Sequence, residues 1–558
     1  MKLRILSLAF VLVTMIQITA CKNKTLKPEL GSLDLLRGEL LLCGKEFGDV
    51  SFSESCSPET RQTFNLAISL LHSFEYAEAE KAFVQVIDAD PECAMAYWGV
   101  AMSIYHGLWA PPGDAVLKKG NKLLAIAQEL PKSKKATQYI AAISAFYTDW
   151  ETVDNQTRKT RYAQKMKELF DEYDTDTEVT VFYALALRAS AAPTDKTYAK
   201  QKQAGKILEL LFEKEPNHPG IAHYIIHSYD YAELAELGLV TARRYAEIAP
   251  NSAHAQHMPS HIFTRLGLWE ESIQTNINSA SSAMCYAEST APGAHWDQEV
   301  HAMGYLVYAH LQTGNNQLAK EQYNYLKSFE KIFPESFVIA YTAAAIPARI
   351  TVENRNWKEA ATIELPQNLG MDWKQFPWQV SLLHFARALG AIHTNDIESA
   401  TTELNIMITL QNELIALEDA YKSNQVGIQI KTIEAWIQLH NGNENEAIAL
   451  MKVAADMESK TSKHPVTPGE ILPADELLGD MLLAANKPME ALEVYSLNLK
   501  KRPNRFNGIY GAAKAAVQTG NKEKALLYFN QLILLTEKSN SDRPEIEEAK
   551  AYITQQEV

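Results

Sequence analysis

The sequence lacks the short motifs that mark the common catalytic sites. It has no His-Glu-x-x-His pair, no Gly-x-Ser-x-Gly elbow, no Walker-type phosphate loop and no dinucleotide-binding glycine fingerprint. Basic residues are also in deficit, with 53 lysines and arginines against 68 aspartates and glutamates and a formal net charge of −15. A protein that binds nucleic acid needs a concentrated basic face, and the sequence has no Lys/Arg-rich stripe. Nucleic acid is therefore excluded as an expected partner, and catalysis is an alternative rather than the leading interpretation.

Long apolar runs are confined to the N-terminus. The basic start MKLR precedes ILSLAFVLVTMI, a segment too short to serve as a comfortable membrane span. The segment ends in Ile18, Thr19, Ala20 and Cys21, which resembles a bacterial lipobox; an ordinary cleaved signal peptide is the alternative. The resemblance implies that residues 1–21 are a lipoprotein signal and that Cys21 is lipidated. It also implies a location in the bacterial cell envelope, on the outer membrane facing the periplasm.

Cysteine is scarce, and four cysteines remain after the one in the lipobox. Cys43 and Cys56 flank a short glycine-containing segment before the first predicted helix, and an exported compartment permits oxidation. We therefore predict a Cys43–Cys56 disulfide within an N-terminal tether, residues 22–57. Cys93 and Cys285 fall in helical patterns, where buried free thiols are expected.

Strand-like alternation is nearly absent, and the chain instead repeats a helical pattern. The segment LLHSFEYAEAEKAFVQVIDADP carries Ala79, Phe83 and Pro91 at the spacing of a small residue, a large residue and a terminating proline. Prolines recur one period apart at Pro216 and Pro250. These residues resemble the tetratricopeptide repeat, a helix–turn–helix unit of about 34 residues.

The resemblance implies the fold and the division of the chain. We expect an all-α, tetratricopeptide-like solenoid, a superhelix of antiparallel helix pairs in which each unit buries its apolar face on the next. One array is predicted over residues 58–350 and a second over residues 351–558. The segments HYIIH and HMPSHIF further resemble exported bacterial lipoprotein repeat proteins, a similarity that gives the fold without a function.

Five histidines cluster in two short segments of the first array. His223 and His227 are four residues apart, as are His257 and His261, and His254 lies three residues before His257. Residues three or four apart share one face of a helix. By resemblance to the repeat, all five fall at the positions that line the concave groove, on neighbouring first helices. Packed helices lie about 8–10 Å apart, so their imidazoles can converge on one ion.

Further residues complete the predicted metal site. His301 falls at a groove position of the next matched unit and is a sixth candidate ligand. Asp230, Asp297 and Glu299 are candidate acids to orient the imidazoles from behind. An imidazole-rich site with few thiols suits zinc, copper or nickel.

Pro259 lies between His257 and His261, inside the predicted helix. Proline there removes a backbone hydrogen bond at a cost of about 3 kcal/mol, and rule-breaking of this kind is expected at functional sites. The alternative is that Pro259 starts a helix at its first turn, which places His254 and His257 in a loop and weakens the argument that the histidines share a face.

The leading hypothesis is a lipid-anchored scaffold or binding protein. Its concave groove would take a protein, peptide or small ligand, with or without metal. The alternatives are a metal-dependent, hydrolase-like enzyme using the same histidines and a periplasmic metal carrier. In the second array, the Arg-Pro-Asn-Arg segment at 502–505 is interpreted as a solvated turn.

Overall fold

The computed structural model describes residues 33–54, 56–109 and 111–557. The predicted signal segment 1–21, with Cys21, lies outside these residues. Contacts between residues divide the described chain into two compact units: unit 1 holds residues 33–40 and 50–190, and unit 2 holds residues 41–49 and 191–557.

Three of the helices of unit 1 begin at polar capping residues. Ser133, Asp154 and Asp176 each accept a hydrogen bond from a backbone N–H of the first turn that follows, which satisfies a donor that the helix itself leaves unpaired. The helices of unit 1 are α1 (Arg61–His72), α2 (Tyr76–Ala89), α3 (Ala94–Ser103), α4 (Asp114–Glu129), α5 (Lys134–Tyr147), α6 (Asn155–Glu172) and α7 (Thr177–Ala189).

The core of unit 1 is aromatic. The rings of Phe52 and Trp98 lie 5.6 Å apart, and those of Trp98 and Phe182 lie 5.2 Å apart. Gly99 lets helices α2 and α3 approach closely, because a Cβ at this position would meet the ring of Phe83. The repeat pattern predicts this kind of packing, in which a small residue (Gly99) on one helix lies against a large residue (Phe83) on its partner.

Unit 2 continues the pattern over many more helices. Its elements are α8 (Ala199–Phe212), α9 (Pro219–Tyr229), α10 (Ala235–Ile248), α11 (Ala253–His257), α12 (Pro259–Leu266), α13 (Trp269–Thr290), β1 (His295–Trp296), α14 (Asp297–Gln312), α15 (Asn316–Lys327), β2 (Ile332–Phe333), α16 (Phe337–Glu353), α17 (Trp357–Ala360), a short 3-10 helix (Trp373–Gln375), α18 (Pro377–His393), α19 (Ile397–Ala416), α20 (Ala420–His440), α21 (Glu444–Lys460), α22 (Ala474–Ala484), α23 (Pro488–Lys501), α24 (Phe506–Gln518), α25 (Lys522–Thr536) and α26 (Pro544–Glu557).

The predicted all-α fold of helix–turn–helix pairs is confirmed. Within the described residues, strand is limited to the two-residue parallel pairing of β1 with β2. Within each unit, consecutive helices pack on one another, and Gly479 and Gly511 make room for the ring of Tyr495 between α22, α23 and α24. The contact division falls between Ser190 and Ala191, whereas residue 350, a predicted boundary, lies inside helix α16.

Both disulfides differ from the predicted pairing. Cys43 pairs with Cys285, with the Cα atoms 6.0 Å apart, and Cys56 pairs with Cys93, with the Cα atoms 5.4 Å apart. The predicted Cys43–Cys56 bond and the predicted free thiols at Cys93 and Cys285 are therefore wrong. The sequence neighbours are separated because the segment 41–49 packs in unit 2, while Cys56 belongs to unit 1.

None of the helices in the described part of the chain has both the length and the apolar character needed to cross a membrane.

Candidate metal centre

Helices α9 and α11 bring the first three histidines together. Helix α9 starts with Pro219 at its first turn, and His218 accepts the backbone N–H of Ile221 at 3.3 Å. His223 and His227 then lie one turn apart on α9, with ring centroids separated by 4.7 Å. The sequence spacing therefore places both rings on one face, as predicted.

Triad 1 consists of His223, His227 and His254. All three are buried, and the ligand nitrogens that they offer lie within 4.8 Å of one another. The Nε2 atoms of His223 and His254 are 3.2 Å apart. Helix α9 thus supplies two imidazoles and α11 supplies the third.

Triad 2 consists of His257, His261 and His301, from helices α11, α12 and α14. These histidines are also buried, and their ligand nitrogens lie within 4.8 Å of one another. The rings of His257 and His301 are 4.1 Å apart. All six predicted ligands therefore meet in unit 2, as two groups of three, and the rings of His254 and His257 lie 6.5 Å apart across the two triads.

Pro259 starts a helix instead of interrupting one. It stands at the first turn of α12, so the predicted position inside a continuous helix is wrong. His254 and His257 nevertheless do not lie in a loop. Met258 keeps right-handed helical torsion angles, and its N–H donates to the carbonyl of His254 at 3.0 Å. His257 and His261 consequently still share a face across the junction.

Hydrogen bonds fix which nitrogens of triad 2 face each other. His261 donates from Nδ1 to Asp230 Oδ2 at 2.9 Å, and His257 donates from Nδ1 to Asn276 Oδ1 at 2.7 Å. The amide nitrogen of Asn276 donates to the carbonyl of Ser272 at 2.7 Å, so its oxygen is the atom left to accept. Both imidazoles therefore turn Nε2 toward the other.

The two Nε2 atoms of His257 and His261 are 3.1 Å apart. Two nitrogen lone pairs repel at this separation unless a proton or a metal ion lies between them. Two imidazole ligands of one tetrahedral ion, each about 2.0–2.1 Å from the metal, lie about 3.3 Å apart. The separation thus fits two ligands of one ion.

Burial holds three imidazoles of the centre neutral. It lowers the pKa of His254 to about 3 and lowers the pKa values of His257 and His301 well below the usual range, with the neighbouring imidazoles adding to the shift. A neutral imidazole is the form that binds metal, because protonation occupies the ligand lone pair. These three side chains are therefore in the protonation state that a metal site requires.

Asp230 takes the predicted place behind the imidazoles. Burial acts to raise its pKa, but the charges and hydrogen bonds of Arg265 and His261 prevail and hold that pKa at about 2. Arg265 Nε donates to Asp230 at 3.0 Å, and the Lys463 ammonium lies 3.2 Å away. The carboxylate is therefore ionised, and an ionised partner raises the basicity of the imidazole to which it is bonded.

The other two predicted acids bond elsewhere. Glu299 accepts from His295 Nδ1 at 3.0 Å and from the hydroxyl of Tyr325 at 2.8 Å, so it orients His295 and not a triad imidazole. Burial raises the pKa of Asp297 to about 6, and its hydrogen bonds go to Gln298 and Ser336.

Three side chains of the centre were missed by the sequence reasoning. Gln298 hydrogen-bonds His254, Asn276 orients His257, and the ring of Tyr305 lies 4.6 Å from that of His257. For Asn276 and Gln298 no local signal exists, since their roles arise from how helices pack. Tyr305 follows His301 by one helical turn, and that spacing could have placed it on the same face.

A charged cleft borders the centre on the side of Asp230. Its cavity volume is about 390 Å³. The cationic groups of Arg265 and Lys463 line it together with Asp230 itself, so this carboxylate touches both the cleft and His261. The further charged lining residues are Lys196, Lys202, Glu233, Glu458, Glu470, Asp475, Lys501 and Arg502.

Comparison with known proteins supports the repeat and gives no activity. Residues 64–107 match the tetratricopeptide repeat family. Yeast Tom70 is 12% identical, with 90% of this chain and 96% of that chain covered at a TM-score of 0.34. The human IFIT1 dimer with m7Gppp-AAAA is 11% identical, with 84% and 94% covered at a TM-score of 0.34. The APC/C hetero-tetramer Cut9-Hcn1 is 11% identical, with 88% and 90% covered at a TM-score of 0.27.

These likenesses are too weak to transfer a ligand or a partner from those proteins to this one. No curated protein sequence matches the chain. The match at residues 64–107 covers helices α1, α2 and α3 of unit 1. The chain therefore carries the tetratricopeptide repeat, within an all-α fold of helix–turn–helix pairs.

Proposed function

We propose that unit 2 binds two transition-metal ions, one in each histidine triad, so that the repeat array serves as the scaffold of a metal centre. The observation that carries the proposal is the pair of Nε2 atoms of His257 and His261 at 3.1 Å, with each ring bonded to an oxygen acceptor at its Nδ1. A metal ion bound by both nitrogens accounts for this close approach. Neutral, buried imidazole suits Zn²⁺, Cu²⁺ or Ni²⁺.

The grouping of the ligands supports two ions rather than one. The nitrogens fall into two sets of three, and within each set they lie within 4.8 Å of one another. Three protein ligands with an open fourth position are a common arrangement for tetrahedral metal sites that bind a further ligand.

Burial favours a resident ion over metal cargo. A carrier must pass its ion to a partner, which requires ligands that a partner can reach. The most exposed of the six histidines, His301, is 8% exposed. We therefore favour a permanently bound metal centre, which binds or transforms a further ligand, over a periplasmic metal carrier.

Elemental analysis of the chain, purified without a polyhistidine tag, tests the proposal. The wild-type protein is expected to hold about two equivalents of zinc, copper or nickel per chain, and the paired variants His223→Ala/His254→Ala and His257→Ala/His261→Ala about one each. The matched control is His310→Ala, a buried histidine outside the triads on the helix that carries His301. This control is expected to keep both ions.

Two results would contradict the proposal. Wild-type protein without metal after loading at neutral pH would refute it altogether. Loss of both ions in each paired variant, with far-ultraviolet circular dichroism unchanged, would replace two ions by a single shared one.

Asp230→Asn is expected to weaken metal binding about 10- to 100-fold, because His261 would lose an anionic hydrogen-bond partner. Competition with a chromophoric chelator measures the change. Glu299→Gln is the matched control, since Glu299 bonds His295 and not a triad imidazole. An equal loss of affinity in the two variants would contradict the role given to Asp230.

We also propose, from the sequence, a lipid anchor at Cys21 on the periplasmic face of the outer membrane and a protein or peptide partner for the array. Repeat arrays commonly present extended binding surfaces, which supports the second part. Fatty-acid labelling that persists in Cys21→Ser would contradict the anchor.

A further inference from the structure

Tyr305 is a buried aromatic side chain of the centre that belongs to neither histidine triad. It lies on α14 one turn after His301, and its ring contacts all three imidazoles of triad 2. The centroid distances are 4.6 Å to His257, 5.4 Å to His261 and 5.4 Å to His301. The phenol is therefore part of the wall of triad 2.

The hydroxyl of Tyr305 lacks a hydrogen-bond partner among the residues that the structure describes. The side chain is 1% exposed, so bulk water does not supply one. Leaving a buried hydroxyl unsatisfied costs about 1–3 kcal/mol, and native proteins rarely tolerate it. The ring fills the wall as a phenylalanine would, but the hydroxyl requires something to bond.

An ion bound by triad 2 would have an open coordination position for a further ligand. His257, His261 and His301 supply three nitrogens, and a tetrahedral ion takes a fourth ligand. The Nδ1 atoms of His257 and His261 are already bonded to Asn276 and Asp230, so those imidazole N–H groups cannot serve that ligand.

We propose that triad 2 binds a small oxygen-donor ligand, a water, hydroxide or carboxylate oxygen, and that the Tyr305 hydroxyl donates a hydrogen bond to it. This proposal rests on the metal centre proposed above. The oxygen bonds the ion with one lone pair and accepts the phenol proton with another, which satisfies both the open coordination position and the buried hydroxyl. Tyr305 is thereby a positioning residue for whatever oxygen compound the centre takes.

Co²⁺-loaded protein with formate as the probe tests this assignment. The visible bands of Co²⁺ respond to its ligands, so a formate titration reports binding at the open position. Tyr305→Phe keeps the ring and removes the hydroxyl. It is expected to hold about two Co²⁺ ions and to bind formate about tenfold or more weakly, the fold-change expected from one lost hydrogen bond to a charged group.

Tyr245→Phe is the matched control. Tyr245 is also a buried tyrosine, and its ring stacks on His223 of triad 1 at 5.3 Å. Its formate affinity is expected to equal that of the wild type.

The possible results separate the two proposals. Wild-type protein that takes up no Co²⁺ would overturn both. Co²⁺ bands that formate does not change, or equal formate affinity in the wild type and Tyr305→Phe, would overturn the oxygen-ligand site and leave the metal centre standing. A weakening in Tyr245→Phe alone would move the open position to triad 1 and overturn the assignment to Tyr305.

Discussion

The metal-free protein is expected to lose about 4 kcal/mol of unfolding free energy between about pH 7.5 and about pH 5.5 from three imidazoles alone. Burial lowers the folded-state pKa of His254 to about 3 and those of His257 and His301 well below the usual value. In the unfolded chain each imidazole has a pKa of about 6.5. As the pH falls below about 6.5, the unfolded chain binds protons that the folded chain excludes. The contribution of these imidazoles to the unfolding free energy is therefore fully present above about pH 6.5 and is lost as the pH falls toward the folded-state pKa.

Other groups in unit 2 modify this loss without reversing it. Burial raises the pKa of Asp297 to about 6, so its protonation stabilises the folded chain as the pH falls and offsets about 1 kcal/mol. Burial lowers the pKa values of His310 and His464 to about 4 each, which adds to the decline.

Denaturant titrations of chelator-treated protein at several pH values measure the effect. Bound Zn²⁺ is expected to move the steep decline to lower pH, because protons must then displace the ion before they reach the nitrogens. Unfolding free energy that stays constant across this pH range would contradict the neutral, desolvated state of the imidazoles.

Arg505→Met is expected to lower the unfolding free energy by about 3–5 kcal/mol. The guanidinium of Arg505 is fully buried and bonds Glu476 at 2.9 Å, Glu353 at 2.8 Å and the hydroxyl of Tyr308 at 2.8 Å. Methionine has similar length but leaves two buried carboxylates without this cation. The loss comes from the uncompensated charges rather than from the volume of the side chain.

The comparison for Arg505→Met is Lys514→Met, which removes a partly exposed partner of Glu548 and is expected to change stability by less than about 1 kcal/mol. Urea unfolding followed by circular dichroism gives both values. A second variant separates charge from packing: adding Glu476→Gln and Glu353→Gln to Arg505→Met should recover part of the loss. No recovery would contradict the electrostatic account.

Much of the centre follows from the sequence because local spacing determines it. Four residues make roughly one helical turn, so His223 with His227 and His257 with His261 share faces in any helical arrangement. The repeat period then placed these helices side by side, and the same phase identified His301 on the next unit.

Features that depend on packing between distant segments were not predictable in this way. Asn276 reaches His257 from the following helix, and nothing in its own neighbourhood marks that contact. Arg505 stands in a Pro- and Asn-containing turn whose charge suggested solvent, and that interpretation is wrong because Glu353 and Glu476 meet it from other helices. The pairing of Cys43 with Cys285 likewise depends on the packing of segment 41–49 within unit 2, which the local sequence does not indicate.

The placement of residues 41–49 has a consequence for the order in which the protein can be assembled. This segment holds Cys43 and the buried Phe47, and Asp49 donates its N–H to the carbonyl of Asn217 at 3.0 Å, just before α9. If the chain emerges N-terminus first, residues 50–190 can fold before the residues of unit 2 that contact segment 41–49 are available. The disulfide of this segment to the rest of unit 2 can form only after Cys285 has emerged, 242 residues after Cys43. A fragment beginning at residue 191 therefore lacks a piece that packs immediately beside the helix carrying His223 and His227.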